Sequence, residues 1–125
     1  MKNILYTIIL SLLFSSSVFA DLQAGVNAVK AGDYETAYKE FRSAAEQGEV
    51  RAQNNLGVMY DKGQGVAQDY KEAVKWWRLA AEQGYASAQF NLGGMYGEGI
   101  SVIQNYVISH MWFNIAASNG YEDAK

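Results

Sequence analysis

Apolar residues along most of this chain recur at spacings of three and four, the period of an amphipathic helix. Ala52, Leu56, Met59 and Tyr60 stand at i, i+4, i+7 and i+8, which predicts a helix over about Glu49–Lys62. Gly63-Gln64-Gly65 stops it, because glycine accepts the positive φ of a C-cap and tight turn. Asp69 then caps a second helix by offering its side chain to an orphan amide. That helix carries Tyr70, Ala73, Val74, Trp77, Ala80 and Ala81 on one side. Lys71, Lys75, Arg78 and Glu82 fall on another side as a solvated stripe. Gly48 and Gly84 end second helices.

The pattern repeats. Ala45-Glu46-Gln47-Gly48 returns as Ala81-Glu82-Gln83-Gly84 and, more loosely, as Ala117-Ser118-Asn119-Gly120, each time after 36 residues. Laying 45–80 over 81–116 without a gap gives 17 identities in 36 positions, far beyond chance. An upstream half-repeat fits as well: Asp33-Tyr34 and Ala37 align with Asp69-Tyr70 and Ala73. The predicted divisions are a degenerate helix pair at 21–44, full repeats at 45–80 and 81–116, and an incomplete further repeat at 117–125.

Residues 1–20 break the pattern. A charged start, an apolar run from Ile4 to Phe14 and a small-residue end at Val18 and Ala20 match a secretory signal peptide cleaved before Asp21. The run is shorter than the roughly 20 apolar residues of a membrane span and closes in three serines. A periplasmic or secreted location is expected, with no membrane span after cleavage.

Composition narrows the chemistry. A formal net charge of −3, or −4 once Lys2 leaves with the signal, excludes a basic nucleic-acid patch as the default reading. Without cysteine there is no disulfide, thiolate zinc site or cysteine nucleophile. The lone histidine, His110, aligns with Val74 and Tyr38 and is expected as a partly buried filler. No serine-nucleophile, zinc-protease or phosphate-loop motif occurs, so neither cofactor nor metal is expected. Gly57 and Gly93 recur inside first helices, where glycine costs about 1 kcal/mol against alanine. Their register predicts close approach of a neighbouring helix through Trp77 or Phe113.

Ala45, Gly48, Ala52, Leu56, Gly57, Tyr60, Gly63, Gly65, Val66, Asp69, Ala73, Trp76 and Ala80 together resemble the Sel1-like repeat family, relatives of the tetratricopeptide repeats. The second copy departs at Ser101, Asn105 and Ser109. The resemblance implies an all-α fold, an α/α solenoid whose first helices line a concave face used mainly to hold other proteins. It also brings an alternative, since cysteine-rich members are associated with penicillin binding or β-lactamase activity. This chain has neither their cysteines nor a Ser-x-x-Lys motif. The reading is a non-enzymatic binding module for a protein or peptide.

Two surfaces are singled out. Asn is a poor helix former, yet Asn55 and Asn91 recur one position before a leucine. They are expected either to bond a nearby loop or, with Arg51, Asn54 and Phe90, to grip a peptide backbone. The second surface is the last helix, where Val107, Ile108 and Met111 replace the charged positions Lys71, Glu72 and Lys75. So apolar a circumference marks a buried helix, and self-association through these residues, as an uncapped final repeat, is expected.

Overall fold

The computed structural model describes residues 2–122 in backbone, and their side chains except at positions 2, 6 and 9–14. Met1 and residues 123–125 lie outside this range, and with them the end of the expected incomplete repeat. Six α-helices follow one another: α1 (Lys2–Lys30), α2 (Tyr34–Glu46), α3 (Val50–Lys62), α4 (Tyr70–Glu82), α5 (Ala86–Glu98) and α6 (Tyr106–Ser118). Each packs on its neighbours in sequence, α1 on α2, α2 on α3, and so on to α6. No strand occurs among the described residues, and the all-α solenoid expected from the pattern is the fold.

Caps explain where the helices begin and end. Asp69 accepts from the amides of Lys71 and Glu72, Asn105 from that of Ile108, and Glu49 from those of Arg51 and Ala52. Gly63 and Gly99 close α3 and α5 at φ 65° and 70°, and each amide returns to a methionine carbonyl one turn back. The loops that follow are pinned alike, Gln68 Nε2 donating to the Asp61 carbonyl and Gln104 Nε2 to that of Gly97.

Small residues let the helices cross closely. Ala37, Ala44, Ala52, Ala73, Ala80, Ala88 and Ala116 are wholly buried, and Phe41, Leu56 and Leu92 fill the space between the crossings. The two interior glycines do what their register predicts. A Cβ on Gly57 would lie 2.6 Å from the Trp77 ring, and one on Gly93 would lie 2.9 Å from Phe113. The helix-propensity cost is offset by this packing.

Buried amides tie successive helices. Gln53 Nε2 donates to the Ala45 carbonyl at 3.3 Å, and its Oε1 accepts from Gln83 Nε2 at 2.7 Å. One repeat on, Gln89 donates to the Ala81 carbonyl at 3.0 Å and accepts from Asn119 at 2.9 Å. Each glutamine thus joins its own helix to the ends of the helices before and after it. A second polar chain runs from Arg42 to the Tyr38 hydroxyl and on to Tyr60 at 2.9 Å. Burial and the bond to Tyr38 push the Tyr60 phenol up to about 12.

Two expectations are corrected. His110 is exposed rather than a partly buried filler. Its counterpart Val74 is buried in a groove walled by Ser101 and Val102 of the next connection, and α6 has no such connection beside it among the described residues. For the same reason α6 is not a buried helix: only Ser109 and Ala116 are buried along it.

The expected cleavage point between Ala20 and Asp21 falls inside the unbroken α1. In the uncleaved chain Val18 and Leu22 are both buried in the core. Asp21 accepts from the Ser43 hydroxyl at 2.8 Å. No helix of the described residues is long and apolar enough to cross a membrane.

Candidate functional site

The five residues expected to grip a peptide do not form one site. Arg51 pairs with Glu49 at 3.1 Å and lies over the Phe19 ring. Asn54 is buried; its carbonyl accepts from the Trp77 indole at 3.3 Å and its side-chain oxygen from Asn91 at 3.5 Å. Phe90 is half-buried against Phe113 and Tyr121, with ring centroids 5.1 and 4.5 Å away. Asn55 alone faces a cavity. Of the five, only Asn54 and Asn91 meet in a hydrogen bond, and it joins two first helices, α3 and α5.

The cavity beside Asn55 is the strongest candidate. It holds about 410 Å³ between α1 and α3, the first helices of successive pairs, with Tyr34 and Phe41 of α2 behind it. Val26, Val29, Val58 and Met59 make its walls apolar, while Asn55 and Gln64 supply amides. Local sequence positions these groups. Asn55, Val58 and Lys62 follow at i, i+3 and i+7 on one face of α3. Val26, Val29 and Lys30 do the same at the end of α1. Gly25 lets that helix sit against Phe41, for a Cβ there would come within 2.5 Å of the ring.

Charge distinguishes this groove from its surroundings. Lys30 and Lys62 both line it, each in the last turn of its helix, and neither makes an ion pair among the described residues. No carboxylate lines it. In a chain of net charge −3 it is a local positive site on an apolar bed. One repeat on, the α5 equivalents of Asn55, Val58 and Lys62 are Asn91, Gly94 and Glu98, so a second such groove would lose its valine and reverse its charge.

Sequence reasoning missed most of this lining. Half of it belongs to α1, which has no counterpart at the 36-residue offset and so gave no repeated signal. It also missed the buried Gln53 and Gln89, although their recurrence at that offset was a readable sign. Among the described residues no group of three or more His, Asp or Glu could hold a metal ion.

Comparison with known proteins places the architecture. The family model of the Sel1 repeat matches residues 22–49, 50–85 and 86–121. A Sel1 repeat protein from Oxalobacter formigenes superposes with a TM-score of 0.82 at 37% identity, over 88% of this chain and 47% of the other. The protein c5321 of uropathogenic Escherichia coli, described as a protective antigen with an SLR fold, gives 0.83 at 38% identity, over 88% of this chain and 24% of its own. Helicobacter pylori cysteine rich protein B shares the fold at 20% identity, with a TM-score of 0.68 over 86% of this chain and 91% of its own. This chain therefore spans less than half the length of the first two. No match was found among proteins of curated function. With three repeat matches in series along most of its length, the chain belongs to the Sel1 repeat family.

Proposed function

We infer that this protein is an exported, non-catalytic interaction module that seats a segment of a partner protein in the groove between α1 and α3. The observation that carries the reading is the groove itself: an apolar bed with two amides and two unpaired lysines at its sides. Such a site favours an apolar side chain flanked by carboxylates, since the bed takes the first and the lysines the second. Export to the periplasm or beyond rests on the signal-like pattern of residues 1–20. Cleavage before Asp21 would keep Val26, Val29 and Lys30, so the groove survives maturation.

Selection of phage-displayed random peptides on the immobilised protein tests this. Enriched peptides should share a large apolar residue beside Asp or Glu. Reversing both charges, Lys30→Glu with Lys62→Glu, should weaken them by roughly tenfold or more, about 1.4 kcal/mol. Lys71→Glu, on the solvated side of α4, should leave them unchanged. Enrichment of peptides indifferent to the lysine pair would remove the reading.

A further inference from the structure

The three second helices can be read against one another position by position. In α2 the outward stripe is Glu35, Lys39 and Arg42, all exposed, each in an ion pair within the helix. In α4 the same positions hold Lys71, Lys75 and Arg78, also exposed. In α6 they hold Val107, Met111 and Asn114. Val107 is 80% exposed and Met111 45%, with Tyr106 at 64% and Ile103 at 91% beside them.

The α4 helix shows what a following repeat covers. With α5 packed behind it, Val74, Trp76 and Trp77 are buried, yet Lys71, Lys75 and Arg78 remain in solvent. A further helix pair after α6, built the same way, would cover His110, Trp112 and Phe113. It would leave Val107 and Met111 exposed. Extension of the solenoid therefore does not account for the apolar stripe, whatever follows residue 122. The stripe lies on the outer side of the superhelix, where the other repeats are charged.

The charge pattern selects the occupant. From Gly99 to Tyr121 the chain contains no Asp, Glu, Lys or Arg. A lipid surface would need cations beside the apolar stripe to meet anionic headgroups, and this stretch supplies none. A partner recognised by charge has nothing to grip. A second copy of the same face meets no like charge across a two-fold axis, where each residue stands near its own counterpart. Val107 and Met111, at i and i+4, form a ridge beside a groove of about 610 Å³ along α6. Ridges of this kind interdigitate when two helices cross.

We propose that the outer face of α6, centred on Val107 and Met111, is an isologous contact that pairs two copies of this chain side by side. This differs from end-to-end capping of the last repeat, because the surface used is one that a cap would leave bare. It is independent of the α1–α3 groove, which would stay open in both copies.

Sedimentation velocity of the full protein over a roughly hundredfold range of concentration tests this, since a reversible dimer is populated by mass action. The wild type should shift from monomer towards dimer. Val107→Lys with Met111→Lys, which gives α6 the charges of α4, should stay monomeric with unchanged helical circular dichroism. Val107→Glu with Met111→Glu should behave likewise. An equal mixture of the two double variants should sediment as a dimer again. A wild type that stays monomeric throughout, double variants that still dimerise, or a mixture that fails to associate would each overturn the proposal. So would retention of the wild type as a monomer that floats with neutral phosphatidylcholine vesicles.

Discussion

The indole of Trp77 rests on the bare Cα of Gly57, so close that a methyl group there would lie 2.6 Å from both Cδ1 and Nε1. The ring cannot withdraw freely, because Nε1 donates to the Asn54 carbonyl from within the core. Gly57→Ala should therefore destabilise by about 1–3 kcal/mol despite the better helix propensity of alanine. Gly94→Ala is the right comparison: Gly94 is helical, and nothing lies within 4 Å of its added Cβ. It should be neutral or stabilise by up to about 1 kcal/mol. Gly120 would be a poor control, since at φ +93° any side chain is strained. Urea midpoints of the two alanine variants decide the matter by their order.

Ser101 holds a left-handed backbone, φ 56°, at the place where the preceding repeat has Gly65. A side chain pays about 1–2 kcal/mol for that conformation. Ser101→Gly should raise the thermal midpoint, the gain being reduced by the extra chain entropy of glycine. Calorimetry of the purified variant checks the sign.

Alkaline pH should unfold the protein partly through Tyr60. Its phenol titrates at about 12 in the fold against an ordinary 10, chiefly because burial disfavours the phenolate. The neutral phenol thus contributes stability in full below pH 10, and that contribution is lost between pH 10 and pH 12. Tyr60→Phe should show a shallower fall in urea midpoint across this window than the wild type.

Removing one buried amide should cost more than its exposure to solvent would suggest. Gln53→Leu keeps the bulk but strips a donor from the Ala45 carbonyl and an acceptor from Gln83. A loss of about 1–3 kcal/mol is expected. In a double-mutant cycle with Gln83→Ala the two effects should not add, because the residues share a bond.

Much of this was legible in the sequence for one reason: two copies of the same unit sat side by side. Identity at the 36-residue offset marked the capping Asp69, the turn at Gly63 and the glycines under Trp77 and Phe113. The groove was not legible, because its lining comes half from α1, where no copy exists for comparison. His110 was misplaced because the burial of Val74 is a property of the connection at Ser101 and Val102, not of its own helix. Asn55 and Asn91 share a register but not a role. Asn91 reaches Asn54, while the corresponding neighbour of Asn55 lies on the degenerate α1.

The glutamine clamps have a consequence for how the molecule opens. In a simple stack, each unit touches only the next, and a terminal unit can fray while the remainder stays intact. Gln53 bonds both the end of α2 and the residue that closes α4, so release of the middle helix breaks contacts on two sides at once. Gln89 repeats the arrangement from α4 to the end of α6. The interior amides of α3, α4 and α5 should therefore exchange their hydrogens together, through one shared opening event. Those of α6 beyond its clamp should exchange earlier. Gln53 and Gln89 thus set the boundary between the part of the solenoid that unfolds cooperatively and the part that breathes.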